Sequence, residues 1–97
     1  MKYVFEAEVW VWAARPTEHW TLLSLPVQAS AEIREVAAAF PRGFRSVRVT
    51  ATIGSTTWRT SIFPGAEAYV LPVKKAVRTA EGFEAGDTVS VSVELDA

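Results

Sequence analysis

Apolar and polar residues alternate over much of this chain, which predicts a mainly β protein. The clearest run lies near the C-terminus, where Val89, Val91, Val93 and Leu95 are separated by single polar residues. Successive side chains of a strand point to opposite faces, so we expect these four side chains to face a core. Alternating or extended runs predict five further strands, over 3–14, 19–25, 47–53, 57–63 and 69–71.

One stretch has helical spacing instead. Its apolar residues recur at intervals of three and four, at Ile33, Val36, Ala37 and Phe40. This spacing predicts an amphipathic helix of about three turns. We expect Ser30 to cap its N-terminus, and Pro41 and Gly43 to end it. The spacing over 73–80 predicts a second, shorter helical segment of one or two turns.

The turns between these elements predict an antiparallel barrel. Gly54-Ser55 separates two strands by two residues, and glycine supplies the positive φ of a tight hairpin. Pro64-Gly65 and Pro72 end strands, because proline lacks the ladder donor. Closure into a barrel removes exposed strand edges. We therefore expect an all-β, closed or nearly closed barrel of about six strands, with the longer helix across it or plugging one end.

The first predicted strand is apolar on both faces. Tyr3 and Phe5 lie on one face, whereas Trp10 and Trp12 lie on the other. Most large aromatic side chains of small domains belong to the core. We therefore favour the interpretation that the helix covers both tryptophans. The alternative is that the pair stays exposed and forms an interaction site or a dimer contact.

Composition and charge narrow the class of protein. The 97 residues are 49% hydrophobic and contain no cysteine, which predicts a single globular domain over 1–97 without disulfides. Glu6 and Glu8 interrupt any N-terminal signal sequence, and no uncharged run is long enough for a membrane span. We therefore expect a cytoplasmic protein with no membrane contact.

The charges are unevenly distributed along the chain, although the net charge is only −1. Residues 42–78 carry seven basic side chains and one acidic one, whereas residues 79–97 carry five acidic side chains and no basic one. One interpretation is a basic patch for an anion or a nucleic acid. We favour the other, in which the two regions pair and opposite charges face each other across the sheet.

Three runs carry a resemblance to a known family: IGSTTWRTSIFP from residue 53, YVLPVKKAVR from residue 69 and GFEAGDTVSVSVEL from residue 82. Their most specific parts are a hairpin motif (Gly54, Thr56 and Trp58), a proline corner (Tyr69, Leu71 and Pro72) and a turn (Gly86 and Asp87). With these runs the chain resembles DUF1905, a family of small bacterial domains of unknown function, over nearly its whole length. The resemblance implies a small closed β-barrel with one helix and no agreed activity, so it assigns no catalytic residue.

Four residues of the central stretch are predicted to bind a ligand: Trp58, Arg59, Lys74 and Arg78. Trp58 can stack on a ring or fill the core, and the planar fork of Arg59 suits a carboxylate or phosphate. Lys74 and Arg78 would share a helix face at a spacing of four. The alternative for Arg78 is a salt bridge with a following acidic residue: Glu81, Glu84 or Asp87.

Catalysis has fewer candidates. Glu6 and Glu8 lie on one face of one strand, and His19 is the only histidine. Two carboxylates and an imidazole can perform acid–base chemistry, but the chain has no accompanying substrate-binding motif. We therefore expect a non-enzymatic binding domain, without cofactor or metal, whose ligand is a small anion or a protein partner. The alternatives are a small hydrolase-like enzyme using these three residues, or a weak nucleic-acid binder. Nucleic acid is the less favoured partner, and the protein is expected to be a monomer or a homodimer.

Overall fold

The computed structural model describes residues 1–39 and 46–96 of the chain. It contains seven strands and two helices in these ranges: β1 Lys2–Glu8, β2 Trp10–Arg15, β3 Glu18–Ser24, α1 Val27–Ala38, β4 Val47–Ile53, β5 Thr56–Pro64, β6 Tyr69–Pro72, α2 Lys75–Glu81 and β7 Thr88–Leu95. The residues expected to end the first helix, Phe40, Pro41 and Gly43, lie outside the described part. Neither helix within the described part has the length and hydropathy needed to cross a bilayer.

The strands form one antiparallel sheet in the order β1-β7-β4-β5-β6-β3-β2. Its two outermost strands, β1 and β2, are consecutive pieces of one chain segment, separated only by Val9. Val9 donates its N–H to the carbonyl of Asp87 (2.9 Å) and accepts the N–H of Gly86 (2.7 Å). The sheet therefore curls into a half-barrel, which confirms the expected mainly β fold. The strand count exceeds six because the first predicted strand divides at Val9.

The core lies inside this curled sheet. Val91 and Val93 of β7 are buried, and Val89 and Leu95 at its ends are half-buried, as the alternation predicts. Strands β3, β4, β5 and β6 and both helices contribute buried apolar side chains, among them Leu23, Leu71, Val49, Ile62, Ile33 and Val77. Such burial supplies most of the driving force for folding of a domain of this size.

The prediction that Ser30 caps helix α1 is wrong. The helix begins at Val27, immediately after Pro26, and no side chain caps it. Proline suits a helix start because its φ is already near the helical value. Ser30 lies one turn inside, fully buried, and its Oγ accepts the backbone N–H of Tyr69 at 2.9 Å. The hydroxyl therefore satisfies a buried donor of β6 and does not cap the helix.

The hairpin between β4 and β5 explains the motif of Gly54, Thr56 and Trp58. Gly54 has φ +59°, which favours glycine. The carboxylate of Glu81, at the end of α2, lies where a Cβ on Gly54 would be. The same carboxylate accepts the hydroxyl of Thr56 at 2.6 Å, and Trp58 is buried in the core. The motif therefore joins the hairpin to α2 and to the core.

The turn before β7 is closed by Asp87. Its Oδ2 accepts the N–H of Glu84 at 2.9 Å. In return, Asp87 donates its own N–H to the carbonyl of Glu84 (3.1 Å). This closed loop leads the chain past Val9 and into β7.

We predict that Ser30→Ala lowers the free energy of unfolding by about 1–2 kcal/mol. The change leaves the buried N–H of Tyr69 without an acceptor, which costs about 1–3 kcal/mol, and better helix propensity offsets about 0.5 kcal/mol. Urea denaturation followed by far-UV circular dichroism measures the loss. The matched control is Ser24→Ala, whose hydroxyl accepts the indole N–H of Trp10 at an exposed site. Equal losses in the two variants would contradict the role given to Ser30.

Candidate functional site

The hairpin of β2 and β3 leaves the core immediately after Val9. From Trp10 to Trp20, every side chain that the structure describes is exposed. Register places Trp12 opposite Trp20, and Trp10 opposite Leu22, so that these side chains share one face of the sheet. Phe63 of β5 is also exposed. The result is an aromatic surface on a projecting hairpin.

This surface overturns the prediction that the helix covers Trp10 and Trp12. Helix α1 packs elsewhere: Glu32 accepts the hydroxyl of Tyr3 (3.1 Å), and the Arg34 guanidinium lies 5.9 Å from the ring centroid of Tyr69. The two tryptophans remain 37% and 53% exposed. Exposed aromatics on adjacent strands are the alternative that the sequence left open, and exposed apolar patches of this kind are typical of interaction sites.

The aromatic side chains line a cavity of about 490 Å³, here called the tryptophan groove. Its walls include Trp10, Trp12, Trp20, Phe63, Pro64 and Pro72. Trp10 donates its indole N–H to the Oγ of Ser24 at 3.1 Å, which fixes the orientation of the ring. Ligand sites typically occupy about 300–1,000 Å³ and have mainly apolar walls, and the groove fits both criteria.

A second cavity, of about 290 Å³ and here called the basic cavity, contains all four predicted binding residues: Trp58, Arg59, Lys74 and Arg78. His19, which the sequence suggested only as a catalytic candidate, lines it as well. These side chains come from β3, β5, α2 and the residue before α2. Residues that are distant in sequence therefore line one cavity.

The structure gives two of the four residues a clear structural role. Trp58 is only 8% exposed and belongs to the core. Arg78 donates from Nη1 to the carbonyl of Val73 (2.6 Å) and from Nε to Glu84 (3.2 Å). The salt bridge with Glu84 is one of the alternatives that the sequence left open for Arg78. Its guanidinium is therefore held at the cavity wall.

The other two residues are accessible. Arg59 is exposed and donates from Nη2 to Asp96 at 3.0 Å. Lys74 is exposed, and none of the ion pairs found in 1–39 and 46–96 involves it. Its backbone is extended (φ −70°, ψ 157°) at the N-cap of α2, so Lys74 and Arg78 do not share a helical face, although both line the cavity.

Two of the ion pairs help to explain the uneven distribution of charge along the chain. Arg59–Asp96 and Arg78–Glu84 each join the basic stretch to the acidic C-terminal stretch. These contacts support the interpretation that the two regions pair. The hydrogen bond from Arg59 holds the pKa of Asp96 below its usual range; partial desolvation opposes this effect, and a hydrogen bond from Thr50 adds to it.

The catalytic candidates are not brought together. Glu6 and Glu8 are exposed on β1, opposite Ser90 and Thr88 of β7. His19 lies on β3 and lines the basic cavity, whose walls include neither carboxylate. Within residues 1–39 and 46–96, no three histidine or acidic side chains form a group that could hold a metal ion.

The two cavities adjoin. Trp20 and Pro72 line both of them. The sequence predicts the residues of the basic cavity, and it offers the exposed pair of Trp10 and Trp12 only as the less favoured alternative. The available signal was the pattern Trp10, Trp12 and Trp20 on two strands joined by a turn of two residues.

Residues 5–93 of the chain match the family model described as "Domain of unknown function (DUF1905)". A search of curated proteins found no match.

We predict that Arg59→Gln raises the pKa of Asp96 toward its ordinary value. In the wild-type protein this carboxylate is stabilised in the folded state, so its contribution to stability is complete above about pH 4 and is lost as the pH falls through the lowered pKa. Wild-type stability should therefore fall more steeply in acid than that of the variant. Carboxyl ¹³C NMR titration measures the pKa directly.

The matched control is Arg48→Gln, because Arg48 has the smallest of the effects that lower the pKa of Asp96. We expect a smaller rise than in Arg59→Gln. An Asp96 that titrates identically in the wild-type protein and in Arg59→Gln would contradict the ion pair.

Proposed function

The chain belongs to the DUF1905 family, a domain of unknown function, and from its geometry we propose that it is a non-enzymatic binding module. Its ligand is a small molecule that combines an aromatic ring with an anionic group. The observation that supports this proposal is that Trp20 and Pro72 line both the tryptophan groove and the basic cavity, so that the two cavities are neighbours.

The tryptophan groove suits the ring. Trp12 and Trp20 face each other across the strand pair, and Phe63 lies on the same surface. Aromatic rings in contact with such side chains gain about 0.5–1.5 kcal/mol beyond simple burial when they are offset or edge to face. Rigid aromatic walls also lose little side-chain entropy on binding.

The basic cavity suits the anion. Lys74 provides an accessible ammonium group, and Arg59 provides a planar guanidinium. The exposed pair of Arg59 with Asp96 contributes little to stability. Exchange of Asp96 for a ligand carboxylate therefore costs little free energy. His19 at the wall adds a third donor.

The hydrolase-like alternative has less support, because His19 lies in the basic cavity without Glu6 or Glu8. Weak nucleic-acid binding shares the basic side chains with our proposal and is therefore included in the test as a competing outcome. The resemblance to a bacterial family and the absence of cysteine from the sequence also lead us to propose a location in the bacterial cytoplasm.

Isothermal titration calorimetry with three probes tests the proposal. 2-Naphthoate has both the ring and the carboxylate, 2-naphthalenemethanol has only the ring, and acetate has only the carboxylate. We expect 2-naphthoate to bind most tightly, the alcohol more weakly, and acetate not measurably. Binding of a thymidine oligonucleotide that weakens steeply with salt, in place of 2-naphthoate, would overturn the proposal in favour of nucleic acid.

Variants test which cavity binds the ring of the ligand and which binds its anionic group. Trp20→Ala should abolish measurable binding, because Trp20 contributes to both cavities. Lys74→Gln should weaken 2-naphthoate about three- to fivefold, the value of one exposed charge contact, and leave the alcohol unchanged. The matched control is Lys75→Gln, since Lys75 is exposed on α2 and does not line the cavity. Equal effects of the two lysine changes would contradict the assigned site.

A further inference from the structure

The walls of the basic cavity come from three separate parts of the fold. Strand β6 stands between β5 and β3 in the sheet order and ends at Pro72, which lines the cavity. Beyond this point β5 forms one wall, β3 a second, and the segment from Lys74 into α2 a third.

Each wall carries hydrogen-bond donors. The donors are His19 and Thr21 on β3, Arg59 and Thr60 on β5, and Lys74 and Arg78 on the third wall. Of the residues in the described part that line this cavity, none is acidic. The cavity therefore suits an anion that can accept hydrogen bonds from three walls.

The two arginines keep N–H groups for a ligand, although both are paired. Arg78 uses Nη1 for the carbonyl of Val73 and Nε for Glu84, and no side-chain hydrogen bond found in 1–39 and 46–96 uses its Nη2. Arg59 uses Nη2 for Asp96, which leaves Nη1 and Nε. The side chain of Arg78 is only 18% exposed, so its guanidinium is held in place before a ligand arrives. Such preorganisation lowers the entropic cost of binding.

We propose that the anionic group of the ligand is a terminal phosphate, so that the ligand is an aromatic phosphate monoester. This inference rests on the proposed function and names the chemical class of its ligand. A phosphate monoester has three free oxygens in a tetrahedral arrangement, one for each wall of the basic cavity. The two oxygens of a carboxylate lie in one plane and would leave the donors of one wall without an acceptor. A phosphodiester also has only two free oxygens, so the same geometry disfavours the backbone of a nucleic acid.

The size of the basic cavity agrees with this assignment. Its volume of about 290 Å³ is just below the range of about 300–1,000 Å³ that is typical of sites for complete small molecules. The cavity therefore suits one group of the ligand, and the ring would lie in the neighbouring tryptophan groove.

Isothermal titration calorimetry tests the proposal with three probes that share one ring: 2-naphthyl phosphate, methyl 2-naphthyl phosphate and 2-naphthoate. At about pH 7.5 the monoester is mainly a dianion, because its second pKa is about 6. We expect the monoester to bind about tenfold more tightly than 2-naphthoate, since one further hydrogen bond between charged groups has about that value. The diester should bind no more tightly than 2-naphthoate.

The variant His19→Val tests the wall formed by β3. It removes the ring donors and introduces a residue that favours a strand. We expect it to weaken 2-naphthyl phosphate about three- to fivefold. Binding of 2-naphthoate should be unchanged, because Arg59 and Lys74 on the other two walls bind its carboxylate. That measurement also shows that the variant is folded. The matched control is Lys75→Gln, which does not alter the cavity and should leave the affinities for both probes unchanged.

The outcomes separate this inference from the proposed function. If 2-naphthoate or the diester binds as tightly as the monoester, the phosphate is excluded and the proposed function stands. Equal losses of the two probes in His19→Val would also overturn the phosphate. Failure of all three probes to bind would reject the proposed function itself, and this inference with it.

Discussion

The shape of the molecule depends on the backbone hydrogen bonds of Val9. This residue is 1% exposed and bonds to both Gly86 and Asp87, at the point where the turn enters β7. The bonds hold the end of β1 against the sheet. Beyond them, the same chain segment continues as β2 and pairs with β3 at the opposite end of the sheet order. The curled sheet and the projecting hairpin with its exposed tryptophans are therefore two consequences of one local constraint.

The projecting hairpin gives the domain a surface with two chemical characters. On one side of Trp20 and Pro72 the walls are aromatic and apolar, and on the other side they are basic. Most of the positive charge is already balanced by neighbouring carboxylates, since Arg78 is held by Glu84 and Arg59 by Asp96. Selectivity would then come from the ring, and the anionic group would set its orientation.

Much of the fold follows from local pattern, and the remainder needs tertiary structure. The alternation of β7 and the glycine turn at Gly54 could be predicted because each depends on neighbouring residues. The local pattern wrongly predicts Ser30 as a helix cap, because its partner, the N–H of Tyr69, is 39 residues away. The sequence favours the helix as a cover for Trp10 and Trp12, because no pattern shows that a strand leaves the core at Val9. The four predicted binding residues do line one cavity. The sequence could not show which of the nearby acidic residues pair with Arg59 and Arg78, whose partners in the structure are Asp96 and Glu84.

The proposed function requires the tryptophan groove and the basic cavity to act as one binding surface. The most direct measurement is a ¹H–¹⁵N NMR titration with 2-naphthoate, in which the indole N–H signals report on the four tryptophans. We predict that the indole signals of Trp12 and Trp20 shift together with the backbone amide of Lys74, at one common affinity. Shifts confined to residues outside both cavities, such as Gly54 and Ser90, or no shifts at all, would contradict the claim.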